Sequence, residues 1–167
     1  MDEYNASPTI PSRLTVSDEF GYWLSGLFDG EGCFLFQNTV HGKTTIALKI
    51  KIALRNDDRD VIDYIYKHLG CGSIYANEYR AENYKAHRPW VELRVQKIAD
   101  LAEVIVPLFD HYPLHTKKAQ EFALWRAIVM RRYKSQGRPL SPEEQDAYGE
   151  VYEWICETAG PMCAASR

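Results

Sequence analysis

The sequence predicts an α+β domain in which a four-stranded, mostly antiparallel sheet carries its helices on one side. Three observations predict it. Residue periodicity runs in the order helix, two strands, helix, two strands, then helices. Start and stop signals (Ser17-Asp18-Glu19, Gly70, Pro113, Ser141-Pro142) fall between those segments. A chain of 167 residues that is 46% hydrophobic and 26% charged can bury one real core.

The first helix is expected over 18–31, with Ser17 as its cap and Asp18 and Glu19 in its first turn. Its apolar residues Trp23, Leu24, Leu27 and Phe28 cover most of the circumference, the mark of a buried helix. A strand over 33–39 puts Phe34 and Phe36 on one face and Leu35, Gln37 and Thr39 on the other, and His41-Gly42-Lys43 makes a turn. Residues 44–55 show the strongest alternation: Ile46, Leu48, Ile50, Ile52 and Leu54 form one face, and Thr45, Ala47, Lys49, Lys51, Ala53 and Arg55 the other. Asn56 or Asp57 caps a second helix over about 57–69, stopped by Gly70. A strand over 72–79 points Ile74 and Ala76 inward, a loop follows over 80–88, and a strand over 90–95 buries Val91, Leu93 and Val95. Helices are expected over about 98–109, 117–133 and 142–157, with Pro113 breaking the chain between the first two. The organisation is a polar tail over 1–17, one domain over 18–157 and a short tail over 158–167.

Charge is unevenly placed. Residues 43–97 hold eleven Lys and Arg against seven Asp and Glu, a net of +4, whereas the remainder holds nine against sixteen, a net of −7. A basic middle third on an acidic body points to a face that meets a polyanion. The outward strand face carries Gln37, Thr39, Thr45, Lys49, Lys51, Arg55, Tyr75, Asn77 and Arg94, with His41 in the adjoining turn. These are side chains that hold phosphates and read base edges; Glu92 is the one acid among them. The four cysteines show no paired spacing and read as free thiols of a reducing compartment. His68/Cys71 and His111/His115 lack a second ligand pair that would complete a zinc site. No signal peptide or membrane span is expected, so the location reads as intracellular, with no membrane partner.

Within the first helix, Gly26 and Gly30 lie one turn apart, and each costs about 1 kcal/mol relative to Ala inside a helix. Their presence suggests that a second copy of the same helix packs against them. Glu31 follows where the helix ends, flanked by glycines, and a carboxylate there suits a divalent cation. The nine residues Leu24-Ser25-Gly26-Leu27-Phe28-Asp29-Gly30-Glu31-Gly32 resemble the motif of LAGLIDADG homing endonucleases, differing by Ser for Ala, Phe for Ile, Gly for Ala and Glu for Asp. Arg55-Asn56-Asp57-Asp58, leading into a helix that ends Leu69-Gly70-Cys71-Gly72, resembles the exit from the family's second strand. Lys97 is similar in place to its active-site lysine, and Tyr112-Pro113-Leu114-His115-Thr116-Lys117-Lys118 to its Tyr-Pro-Leu segment with a following lysine.

The resemblance spans about residues 18–157 and implies an αββαββα core with a saddle-like sheet for DNA and added C-terminal helices. It implies a site-specific double-strand DNA endonuclease, intron-encoded in type, using Mg2+ or another divalent cation such as Mn2+. Glu31 and the Gly30 carbonyl are the implied metal ligands, with Lys97 and either Arg55 or Arg59 stabilising the transition state. The family uses two motif helices, and this chain has one, which implies a homodimer joined at Leu24, Ser25, Gly26, Phe28 and Asp29 on a long pseudo-palindromic site. The chain departs from the family at Leu54, where many members place a polar residue near the scissile phosphates. Other readings of the same fold are an RNA maturase or splicing cofactor that binds intron RNA, and a DNA-binding regulator without catalysis.

Overall fold

The computed structural model describes residues 12–40, 43–77, 89–136 and 138–159, and their side chains except at 37–40, 43–46 and 151–159. Helix α1 (Asp18–Glu31) begins at Ser17, whose hydroxyl accepts from the Phe20 N–H, and ends where the Gly32 N–H donates to the Phe28 carbonyl. The chain then turns directly into β1 (Gly32–Val40) and returns as β2 (Lys43–Arg55). A single 3-10 turn, Asn56–Asp58, precedes α2 (Arg59–Leu69), so Asn56 and Asp57, the alternatives expected to cap this helix, lie in that turn and Asp58 takes the cap position. Gly70 closes α2 in the left-handed region at φ 64°, where a side chain would be strained. β3 (Ser73–Asn77) and β4 (Trp90–Val95) complete the sheet. The loop expected over 80–88 lies outside the described residues.

The sheet order is β1-β2-β4-β3, and every neighbouring pair is antiparallel. Period two divides the strands into an inner and an outer face, interrupted by a register shift in the β1–β2 ladder between Leu35 and Gln37. Phe34, Phe36, Leu48, Ile50, Ile52, Val91, Leu93 and Val95 are buried beneath the helices. Ile74 joins them partly, whereas Ala76, expected inward, is exposed on the edge strand. Fully burying a Phe, Leu or Ile side chain contributes roughly 1.5–3 kcal/mol, so this inner face holds the helices to the sheet. Aromatic rings knit the layers together: Phe28 of α1 lies 4.9 Å from Phe34 of β1 and 4.7 Å from Phe109, and Phe34 lies 5.1 Å from Trp125.

The segment expected as one helix over 98–109 contains a wide turn. Short α3 (Ile98–Asp100) passes through a π turn, Leu101–Ile105, into α4 (Val106–His111). Pro107 is the physical reason: it has no N–H for the Glu103 carbonyl and its ring crowds that position. The carbonyl left over accepts from the Arg13 N–H at 3.0 Å, and the Arg13 side chain pairs with Asp100 and Glu103. α5 (Lys118–Lys134) and α6 (Pro142–Ala159) follow, the latter opened by a capping box in which Ser141 and Glu144 each accept from the other's N–H. No helix among the described residues is long and apolar enough to cross a membrane. Cys71 is a free thiol that burial pushes up to about 11. Cys33 is disulfide-bonded, so the expectation of free thiols fails there; spacing along a chain does not show which cysteines a fold brings together.

Candidate active site and nucleic-acid interface

Helix α1 presents three sides, each with a different occupant. Phe20, Leu24 and Phe28 enter the core and are at most 2% exposed. A second stripe, at Asp18, Gly21, Ser25 and Asp29, recurs at helical spacing and faces the segment 112–118. There the Tyr112 hydroxyl donates to Asp18 at 2.9 Å, the Ser25 hydroxyl donates to the Pro113 carbonyl at 3.1 Å, and Asp29 accepts from the His115 N–H at 2.8 Å and the Thr116 hydroxyl at 2.7 Å. Gly21 is required because a Cβ would sit 2.2 Å from the Tyr112 ring. The third side carries Tyr22, Trp23, Gly26 and Gly30 and is open: a Cβ on either Gly26 or Gly30 would meet nothing within 4 Å.

This partition corrects the expected pairing surface. Leu24, Ser25 and Phe28 are covered by the chain's own core and the 112–118 segment, and the Asp29 carboxylate is engaged by His115 and Thr116. Of the five residues named for that surface, Gly26 lies on the open side. Burial alone would raise the Asp29 carboxyl; hydrogen bonds from the Thr116 hydroxyl and the His115 and Thr116 N–H groups, with the Lys118 charge, hold it below its ordinary value.

Glu31 closes α1, is exposed and makes no hydrogen bond or ion pair among the described residues. The Gly30 carbonyl beside it accepts from the Lys118 ammonium at 3.4 Å, and the Asp29 carbonyl accepts from the same group at 2.7 Å. Lys97 stands exposed at the junction between β4 and α3, where its carbonyl accepts from the Leu101 N–H. Arg55 ends β2 on the outward face with its guanidinium forked onto Asp57 at 2.7 and 3.0 Å. Arg59 reaches Asp63 at 3.6 Å, one turn along α2. Both pairs are exposed and of the kind that contributes about 0–1 kcal/mol, so either arginine can be exchanged onto a phosphate. Leu54 packs against the core, consistent with its side chain being no substitute for a polar group.

The outward sheet face is organised around an acid. Lys51 lies opposite Arg94, Ala53 opposite Glu92, and Tyr75 opposite Glu92 on the other side. Glu92 is 5% exposed and accepts from the Arg94 guanidinium, which in turn lies 4.6 Å above the Tyr75 ring. The Lys49 ammonium is shifted down, first by burial and then by the Arg94 charge, with Glu92 opposing and Lys51 adding. Three cations crowd one carboxylate, and an incoming anion would relieve them. Glu92 thus belongs to the basic face as its organiser, a role that composition does not reveal. The side chains of Gln37, Thr39 and Thr45 and all of His41 lie outside the described residues, but the backbone register corrects the expectation that the first three share one face. Past the register shift at Leu35/Gln37 the pairing sets Gln37 opposite Ile46, Asn38 opposite Thr45 and Thr39 opposite Thr44, so Thr45 falls in the row of Asn38 and not in that of Gln37 and Thr39. Asn77 lies opposite Trp90 at the far edge.

A hard divalent cation takes several oxygen ligands. Among the described residues no group of three or more His, Cys, Asp or Glu converges. A single chain therefore offers one unpartnered carboxylate at the helix end, an oxygen donor of the right class but too few to make a site alone.

Comparison with known proteins agrees with this architecture. The family profile described as LAGLIDADG endonuclease matches residues 24–129. A probable intron-encoded endonuclease, Cox1-I1b of Schizosaccharomyces pombe, is 30% identical over 126 residues, covering 74% of this chain and 29% of the relative. The chain thus spans less than a third of the length of that relative. Among solved structures, I-SmaMI bound to an uncleaved DNA target in the presence of calcium ions superposes with a TM-score of 0.65 at 21% identity, covering 89% of this chain and 49% of that one. The homing endonuclease I-TnaI superposes with a TM-score of 0.56 at 23% identity over 81% of this chain and 97% of its own. This chain belongs to the LAGLIDADG endonuclease family.

Two site features escaped the sequence. Lys118 reaches the carbonyls at the end of α1, a contact that nothing in its sequence neighbourhood marks. Glu92 looks like an intruder until the register sets it against Arg94 and Tyr75.

Proposed function

We propose that this chain is a site-specific double-strand DNA endonuclease that acts as a homodimer on a long pseudo-palindromic site and hydrolyses one phosphodiester per strand. The observation that carries the reading is the open side of α1, where Gly26 and Gly30 face free space and the helix ends in an unpartnered Glu31. A helix that tolerates two glycines, each costing about 1 kcal/mol, in order to keep that side flat suits close packing against a second α1. Pairing supplies the second carboxylate that one chain lacks. I-TnaI, nearly all of which this chain matches, and I-SmaMI, about half of which it matches, fit a unit that works in twos. Residues 18–157 would form the working domain.

A divalent cation, Mg2+ or Mn2+, would be held by Glu31 from each copy together with the Gly30 carbonyl, and would supply charge neutralisation at the phosphate and an acidified water. The chain's own residues do the rest. Lys97 places an ammonium at the sheet margin, and Arg55 or Arg59 exchanges its carboxylate partner for phosphate, so that charge building in the transition state meets fixed cations. Lys49, Lys51 and Arg94 hold and read the duplex, with Tyr75 and Asn77 beside them and Gln37, Thr39, His41 and Thr45 along the hairpin.

The test is incubation of the purified chain with a random duplex DNA pool and Mg2+, followed by sequencing of the cut ends. Recurrent staggered cuts within one inverted-repeat sequence are expected, and Glu31→Ala is expected to abolish them. Tight binding without cuts would favour a DNA-binding regulator of this fold, and preference for folded RNA over duplex DNA would favour a maturase.

A further inference from the structure

We propose that Arg94 reads guanine, once in each half of the target duplex, and that Glu92 is the positioning residue that commits it to that base. The inference rests on the reading that the outward sheet face meets duplex DNA, and adds to it which base and which side chain. β3 and β4 pair so that Arg94 stands opposite Ser73 and Glu92 opposite Tyr75. On the other side of β4, Lys51 stands opposite Arg94 and Ala53 opposite Glu92. Small neighbours at 53 and 73 leave the carboxylate and the guanidinium room to meet along their own strand, while Tyr75, on the diagonal, comes under the arginine.

The Arg94 head is held from three directions. One terminal nitrogen donates to Glu92, the guanidinium carbon lies 4.6 Å above the Tyr75 ring, and Nε is enclosed with no hydrogen-bond partner among the described residues. A buried donor left without a partner is uncommon, and here it marks a head seated for its orientation. The remaining terminal N–H groups are the part left for a ligand, since the side chain keeps 30% of its surface exposed. A planar fork fixed in this way suits two acceptors side by side. Guanine presents them, O6 and N7, on its major-groove edge; adenine and cytosine each set an amino donor there, and thymine offers one carbonyl beside a methyl. A phosphate makes no such demand and is met by a mobile point charge, which Lys49 and Lys51 supply from β2. Glu92 does not read a base itself: an acid that accepted from cytosine would need to be open, and Glu92 is 5% exposed. Its charge also offsets the repulsion between Arg94 and the two lysines beside it. A twofold pair of chains carries two such heads, so the guanine recurs at two positions related by the twofold.

The experiment selects bound duplexes from a random pool without divalent metal and reads the base frequencies at each position. Wild type is compared with Arg94→Lys, Glu92→Gln and Lys51→Met, with a thermal melt of each. Wild type is expected to recover guanine at a symmetry-related pair of positions. Arg94→Lys, which keeps the charge and loses the fork, is expected to lower that preference by about tenfold or more, with affinity for unselected duplex within about threefold. Glu92→Gln is expected to lower the preference at the same pair and there alone, while affinity for unselected duplex holds or rises because an acid has left the face. Lys51→Met should weaken all duplexes alike. Base preferences unchanged in Arg94→Lys would overturn the proposal. So would a Glu92→Gln effect confined to the melting temperature, which would leave the acid a purely structural partner. A wild-type chain that binds no duplex would sink the DNA reading and this inference with it, whereas one that binds duplex with no guanine under the control of Arg94 would sink this inference alone.

Discussion

Glu31 and Glu121 show how differently two carboxylates behave in this chain. Glu31 is exposed and unpartnered, and Glu31→Gln, nearly identical in shape, should abolish cleavage while leaving the melting temperature and DNA affinity in EDTA within experimental scatter. Glu121 is 2% exposed in the first turn of α5, and burial raises its carboxyl to about 6 despite the nearby charges of Lys118 and Lys117. The sign follows from the raised value. The folded state holds the proton more tightly than the unfolded chain, so the contribution is fully present below about 4.5 and is lost as pH rises through about 6. The penalty above that window is on the order of 2 kcal/mol. Glu121→Gln should therefore raise the melting temperature at pH 7.5 and have little effect at pH 4.5, as measured by calorimetric melts across that range. No periodicity rule exposes such a residue, because an acid in a helix's first turn looks like ordinary dipole complementation. Glu31 was legible for the opposite reason: glycines on either side marked it.

At the scale of the element, α1 was the most readable part of the chain and also the most misread. Its bounds, cap and buried character follow from Ser17, Asp18, Glu19 and the apolar spacing, and the structure gives Asp18–Glu31. Which side faces which neighbour does not follow, since Leu24 and Phe28 are equally plausible in a core or between paired helices until the sheet is placed. The glycines separate the cases by experiment. Gly26→Ala adds a methyl in open space and should stabilise the isolated chain by about 1 kcal/mol through helix propensity. Gly21→Ala drives a methyl to 2.2 Å from the Tyr112 ring and should lower stability by about 1–3 kcal/mol, the range for overpacking. Denaturant melts at low concentration read both. The π turn before α4 was similarly beyond a reading by periodicity, though Pro107 marks the place once the spare Glu103 carbonyl is seen to accept from Arg13.

Across the whole molecule, the net charge of −3 hides a division of labour between a basic sheet face and an acidic remainder. Strand alternation made the four-stranded sheet legible, and the charge split pointed to its outward face. The pairing order β1-β2-β4-β3 is a fact of tertiary structure that no single strand contains. If that face holds phosphates, Lys49→Ala and Lys51→Ala should each weaken duplex binding and reduce its salt dependence by about one in slope. Binding titrations across a series of salt concentrations measure this directly, and unchanged affinity in both variants would place the duplex elsewhere.

The central claim is that the open glycine side of α1 completes the site by pairing with a second copy. Sedimentation of the chain with and without its duplex, for wild type and Gly26→Leu, tests it most directly. Two wild-type chains per particle are predicted, with Gly26→Leu giving one chain of unchanged helical content. A wild-type chain that stays single with and without DNA, or a Gly26→Leu chain that still pairs, would contradict it.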